Sequence, residues 1–421
     1  MRWPSCWPRP GSSSLSSEHP GAPHPAKHVM PIRDLPVSRR AAARLLAGHP
    51  WVYANEIRVP LGDWVAGERV RIVDPQNRFC GRGYANPHSL IAVRVLSRKD
   101  ESIDARFFSE RLRAAEKFRR RVRPGSTAYR LCNGEGDGIA GLIVDRYDDV
   151  CVVASHTAGI DRLLPEVIAA LERELSPKGI LVKSDSTDRR LEGLDSVVEV
   201  VHGEVAEEVS IEIHGVRFGL DLRRGQKTGF FFDHVDNRRR LAELARDKRV
   251  LDVFCYVGAW GLACARAGAS AVLGIDGSAD AIEWAGRNAK ASGLEASASF
   301  ERADAFDALR EFGTKGRQFD IVVLDPPAFV KSKSKLAEGM RGYREINRLG
   351  MSVVAPSGLL ATSSCSRHVN RDALIGVLQA AADDVGRSAR IIGFGAQAPD
   401  HPVALKLPES AYLDCIYLEI D

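Results

Sequence analysis

Between Arg249 and Ser363 the chain alternates short apolar runs with longer amphipathic ones. Arg249 to Phe254, Ala271 to Asp276, Ala298 to Arg302, Phe319 to Leu324 and Gly358 to Ser363 read as strands, and helices fill the stretches between them. Strands that alternate with helices must bury both faces of one sheet and cross over with one hand. The pattern therefore predicts an α/β fold, a mostly parallel, doubly wound (Rossmann-like) sheet. The runs near Ile391 and from Tyr412 to Glu419 are placed to close that sheet as a hairpin.

The preceding residues are of a different texture. Residues 1–30 hold six Pro, six Ser and two Gly with no apolar period, a composition that predicts disorder. Met30 follows directly and is a plausible initiator. Residues 31–100 carry a short basic helix from Ser38 to Ala47 and strand-like runs at Glu68–Val73, Phe79–Tyr84 and Ile91–Leu96, punctuated by Pro and Gly. They predict a small β-rich domain. Residues 101–205 predict a central α/β domain: a helix over 104–123, a pair of strands around the Gly134–Gly138 turn, a strand from Val150, a helix from Asp161 to Leu175 and a strand at Gly179. Residues 206–421 begin with an antiparallel lead-in, Val209 to Asp221, and contain the parallel sheet.

No run of about 18 apolar residues occurs, which argues against a membrane-spanning helix. The eight cysteines show no CxxC pair, so neither a metal site nor a disulfide scaffold is expected, and a cytoplasmic setting fits. The net charge of +4 decides little, but 46 Arg against 13 Lys and nine basic residues between Arg106 and Arg130 suit a face that contacts phosphates. RNA is the partner this suggests, and self-association as a homodimer stays open.

In a doubly wound sheet, ligands bind beyond the carboxyl ends of the strands. The first strand runs through Asp252 and Phe254 into a turn at Gly258, where the backbone can pass close to a ligand. The second ends at Asp276, spaced to bind the two hydroxyls of a ribose. The third precedes Asp304, able to accept from an exocyclic amine. Each acid alone also suits a helix N-cap; it is the ordered set that points to a ligand. A set of acids beside a loose glycine turn disfavours a dinucleotide and suits S-adenosylmethionine, which has a ribose, an adenine and two cationic groups but no phosphate.

The fourth strand ends in Asp325-Pro326-Pro327-Ala328-Phe329. The prolines fix φ and form a rigid wall, Asp325 can bond the edge of a flat base, and Phe329 can stack on it. The fifth strand ends at Ser363-Ser364-Cys365-Ser366. A thiolate at Cys365, with its pKa lowered, could add to C6 of a pyrimidine and make C5 nucleophilic. The catalytic candidates are thus Cys365 and Asp325. Two other readings stay open: an exocyclic-amine methyltransferase acting on guanine or adenine, with Cys365 inert, and a non-catalytic RNA-binding assembly factor.

Several segments, in order, resemble the ribosomal RNA large subunit methyltransferase I family: GHPWVYANEI (48–57), YRLCNGEGDGIAGLIVDRY (129–147), GQKTGFFFDHVDNR (225–238), LDVFCYVGAWG (251–261), VLDPPAF (323–329), RGYREIN (341–347), SSCS (363–366) and DHPV (400–403). The resemblance spans roughly residues 40–421. It implies an N-terminal PUA-like RNA-binding fold and methylation at C5 of a cytosine in 23S rRNA. It also implies that Gln226, Phe232, Asp233 and Arg238 belong to a segment packing over the cofactor. His234 stands where the family typically has Gln and is left out of that set. Trp260 and Ala328 also depart from the pattern, at positions expected to lie away from the chemistry.

Overall fold

The computed structural model describes residues 32–330 and 332–421. The expectations of a disordered segment over 1–30 and of a start at Met30 lie outside those residues.

The first sheet has the order β1 (Arg33–Pro36), β3 (Glu68–Val73), β4 (Phe79–Ala85), β5 (Val93–Ser97), β2 (Trp51–Val52). Only the β1–β3 pairing is parallel. Helix α1 (Arg39–Leu46) is capped by Ser38, whose side chain accepts from Ala41 N. It closes a core of Leu35, Leu45, Val52, Val70, Ile72 and Val93.

The second sheet runs β10 (Val197–Gly203), β9 (Gly179–Ser184), β8 (Val150–Ser155), β7 (Leu142–Tyr147), β6 (Ala128–Asn133). It is covered by α2 (Ala105–Val122), α3 (Ala158–Arg162) and α4 (Leu164–Leu175). The single helix expected from Asp161 is two helices. Pro165 sits in the first turn of α4; it has no N–H to continue α3, so the chain restarts at Leu163.

The basic face of α2 is largely occupied by the protein itself. Arg119 is fully buried, paired with Asp137 and bonded to Asp400 O. Arg123 pairs with Asp236 and Asp400, and Arg113 with Glu174. A buried guanidinium must be paired, and the bonds of Arg119 and Arg123 to Asp236 and Asp400 tie the central domain to the C-terminal one. Lys117, Arg120 and Arg121 are the cations that α2 leaves exposed near its end. The Asp400–Val403 loop docks so closely that a Cβ on Gly136 would fall 2.0 Å from Pro402 O.

A hairpin, β11 (Val209–Ile213) and β12 (Val216–Leu220), leads into the third sheet. Its turn residues His214 and Gly215 have φ of 51° and 75°, as a tight hairpin turn requires. The seven-stranded sheet has the order β15 (Ala298–Arg302), β14 (Ala271–Asp276), β13 (Arg249–Val253), β16 (Phe319–Leu324), β17 (Val354–Ser364), β19 (Asp414–Ile420), β18 (Ala389–Ala396). The first five are parallel, and β19 is antiparallel to both its neighbours. Helices α5 (Val235–Ala242), α6 (Ala259–Arg266), α7 (Ala279–Ala291), α8 (Ala305–Thr314), α9 (Leu336–Val353) and α10 (Arg371–Val385) complete the domain. Separate apolar cores lie on the two faces. From β13 the chain builds outward through β14 and β15, then returns to β16 on the other side. That reversal opens a crevice beyond the carboxyl ends of β13 and β16.

Candidate functional site

The turn after β13 is strained. Phe254 and Tyr256 have φ of 65° and 49°, ahead of Gly258 at 84°. Two non-glycine residues in the left-handed region persist only where their surroundings hold them. Cys255 N donates to Ile275 O, Tyr256 N donates to Asp276 Oδ2 at 3.0 Å, and the Tyr256 hydroxyl bonds Gly229 O and Gln226 N. A Cβ on Gly258 would lie 2.9 Å from the Phe300 ring. The turn is thus pinned against β14 and against the 225–231 segment.

Asp252 lies beneath it, fully buried. Its Oδ2 accepts from Gly261 N at 2.8 Å, while Oδ1 has no partner. Burial pushes this carboxyl up to about 7, the Asp325 charge adds to the effect, and the Gly261 hydrogen bond and Arg238 oppose it. Asp276 accepts one bond on each oxygen, from Tyr256 N and Ser278 N, and keeps a lone pair on each. Asp304 caps α8, with Oδ1 accepting from Phe306 N and Asp307 N. The capping role is therefore real, and Oδ2 is left for a ligand.

Asp325 extends from the end of β16 with its side chain 23% exposed. Trp260 Nε1 donates to Oδ2 at 3.0 Å, and His234 Nε2 lies 3.3 Å from Oδ1. Burial alone would raise this carboxyl; the His234 ring, the Trp260 N–H and the Arg238 guanidinium outweigh it and hold it down to about 2. Trp260 and His234, set apart in the sequence, both touch Asp325. No spacing in the sequence signals either contact.

The 225–238 segment divides. Asp233 is buried, with Oδ2 accepting from the Tyr412 hydroxyl at 2.8 Å and Oδ1 unpartnered. Burial would raise it, but Lys227, the His234 and His401 rings and Tyr412 hold it well below the usual carboxylate range. Arg238 is buried, donates to Phe231 O, and leaves Nε unpartnered. Burial lowers its pKa, while the charges of Asp325, Asp233 and Asp252 work the other way. Phe232 does not reach the crevice. Its ring packs on Tyr147 and Phe230, 5.3 and 5.2 Å away, and supports the segment from beneath.

Beyond β16, Pro326 is buried and Pro327 exposed, and Phe329 packs on Tyr343 at 4.9 Å. The register pairing Leu324 with Thr362 sets Asp325 and Cys365 at the same end of neighbouring strands. Tyr343 bonds both Ser364 and Ser366, clamping the chain on either side of Cys365. Six of the seven described cysteines are buried; Cys365 is the exception. Its thiol is not lowered as expected. Burial raises its pKa, Asp325 and Asp233 add to that, and the Lys227 charge opposes it.

The crevice fits S-adenosylmethionine. Asp252 and Asp233 each offer a buried, unpartnered oxygen to a cation, and Asp276 has two free lone pairs for hydroxyls. A pyrophosphate would meet carboxylates instead of donors.

Comparison with known proteins agrees. Residues 35–98 match the family described as a PUA-like domain, and residues 183–392 match the S-adenosylmethionine-dependent methyltransferase family. The ribosomal RNA large subunit methyltransferase I of Pseudoalteromonas atlantica is 39% identical over 373 residues, covering 88% of this chain and 94% of its own. That of Aeromonas salmonicida is 40% identical over 377 residues, with the same coverage. Among solved structures, a methyltransferase complexed with S-adenosylhomocysteine shares the fold, with a TM-score of 0.80 at 21% identity over 92% of this chain and all of its own.

Proposed function

The chain belongs to the ribosomal RNA large subunit methyltransferase I family, and on that premise we propose that it methylates C5 of a cytosine in 23S rRNA, in the cytoplasm, with Cys365 as nucleophile and Asp325 as the base-edge contact. That it is an S-adenosylmethionine-dependent rRNA methyltransferase with a PUA-like domain follows from the family. The target carbon is our own reading. The observation that carries it is the placement of Cys365, half-buried and flanked by the Tyr343 contacts, at the strand end beside Asp325.

The residues have separable tasks. Asp276 and Asp304 hold the ribose and adenine of the cofactor, and Asp252 faces its cationic end. Asp325, kept anionic, can only accept hydrogen bonds, which suits the N4 amine of cytosine. Pro326, Pro327 and Phe329 shape the base pocket. The Cys365 sulfur forms a bond to C6, and the electron pair of the C5–C6 double bond moves to C5. S-adenosylmethionine supplies the electrophilic methyl group for that carbon. A base then takes the C5 proton, and the thiolate leaves C6 as the ring regains its double bond. Because burial holds Cys365 as a thiol, its proton must leave before attack, and Lys227 is the cation placed to favour that.

The test uses large-subunit RNA transcribed with 5-fluorocytidine. Fluorine cannot leave C5 as a proton does, so the full chain with S-adenosylmethionine should form a complex that survives denaturing electrophoresis. Cys365→Ala should abolish both the complex and turnover while still binding S-adenosylhomocysteine. Full turnover in Cys365→Ala would reject the cytosine-5 reading and leave the exocyclic-amine one.

A further inference from the structure

His234 is 3% exposed and lies between Asn237 and Asp325. Asn237 Nδ2 is 3.0 Å from Ala396 O. A carbonyl only accepts, so this atom is the amide nitrogen, and its second N–H is free for another acceptor. That acceptor is His234 Nδ1, also 3.0 Å away. Turning the amide over would set its oxygen against the Ala396 carbonyl, acceptor against acceptor. The Asn237 backbone is held as well, its carbonyl accepting from the Tyr417 hydroxyl at 3.0 Å.

With Nδ1 accepting, the ring carries its hydrogen on Nε2. Nε2 is the atom that faces Asp325 Oδ1 at 3.3 Å. The other tautomer would set N–H against N–H at Asn237 and leave Asp325 facing a lone pair. On the far side Trp260 donates to Oδ2 at 3.0 Å, and its indole packs on the imidazole with ring centroids 5.2 Å apart.

We propose that His234, locked in its Nε2–H tautomer by Asn237, is the positioning residue for Asp325. Together with Trp260 it fixes the carboxylate about its Cβ–Cγ bond, since rotation would break the Trp260 hydrogen bond on Oδ2 and pull Oδ1 away from the His234 Nε2 it faces at 3.3 Å. One lone pair on each oxygen stays in the carboxylate plane, aimed at an incoming base edge. Asp325 is then an acceptor with a set direction, selecting bases that present an N–H at that point. The chain from Ala396 O through Asn237 and His234 to Asp325 thus links edge strand β18 to the end of β16. The role rests on Asp325 being the base-edge contact, so Asp325→Ala is examined alongside.

The test has two parts. In the full chain labelled with ¹⁵N-histidine, long-range proton–nitrogen spectra should show His234 protonated on Nε2 and bare on Nδ1. A ring protonated on Nδ1 would overturn the proposal. In turnover, His234→Leu should lower kcat by about tenfold or more, the loss of one polar contact with a charged group, with S-adenosylhomocysteine affinity unchanged. His234→Gln, which again offers one donor and one acceptor, should recover most of that loss. His234→Leu turning over as fast as the unmodified protein, while Asp325→Ala is inactive, would overturn the positioning role alone. Full activity in Asp325→Ala would instead reject the reading of the site. Should His234→Leu fail to fold, the nitrogen spectrum decides.

Discussion

Binding of the cofactor should release a proton from Asp252. This carboxyl is fully buried with one oxygen unpartnered, and burial with the nearby Asp325 charge pushes it up to about 7. At pH 7 roughly half the molecules therefore carry the proton; at pH 6 about nine in ten do, and at pH 8.5 only about 3%. A cationic ammonium seated beside Asp252 requires the carboxylate. Apparent affinity should then be level above pH 8 and fall about tenfold per unit as the pH drops below 6. Calorimetry of S-adenosylhomocysteine binding in buffers of different ionisation enthalpy reads the protons directly. The expected release is about half a proton at pH 7, close to one at pH 6 and near zero at pH 8.5. Asp252→Asn should bind more weakly and release none. A buffer-independent enthalpy at pH 6, or the same release from Asp252→Asn, would refute the argument.

Asp276→Ala should weaken S-adenosylhomocysteine binding by about tenfold or more, because hydrogen bonds from hydroxyls to a carboxylate are worth about 1.5–3 kcal/mol each; calorimetry checks this, and unchanged affinity would remove Asp276 from the site. Arg119→Ala should destabilise the chain by about 3–5 kcal/mol by leaving the Asp137 carboxylate buried and unpaired, seen as a lower thermal midpoint, whereas Arg121→Ala on the same helix should leave the midpoint unchanged. RNA binding by the full chain should weaken steeply with salt as phosphate contacts release counterions; an affinity independent of salt would contradict a phosphate-contacting surface.

The parallel sheet was legible because its evidence is local. β13 and β16 read as strands from their own residues, and the turns between elements carry Gly and Pro. What could not be read depends on distant partners. The run Val197–Gly203 has exposed residues on both faces, so no alternation marks it as a strand. It exists because β9 offers a ladder along its length. The cations of α2 look like a face for phosphates when read alone. Arg119 and Arg123 are instead spent on Asp137, Asp236 and Asp400, the last 277 residues beyond Arg123. A sequence shows that a guanidinium exists and conceals what already neutralises it.

The site divides along the same line. Topology gathers strand ends, so acids at strand ends could be assigned once the sheet was recognised, and Asp252, Asp276 and Asp325 do converge on one crevice. The electrostatics could not be assigned in that way. Cys365 was expected to be activated because its chemistry needs a thiolate, yet burial raises its pKa, and the Asp325 and Asp233 carboxylates add to that. Burial is the first cause of the rise; a cation seated beside Asp233 and Asp325 offsets the carboxylate part and leaves Lys227 less opposed. With Cys365 as the proposed nucleophile, its thiol should react faster with an alkylating probe when the methyl donor's charge is in place than in the free chain, and equal rates would refute this argument.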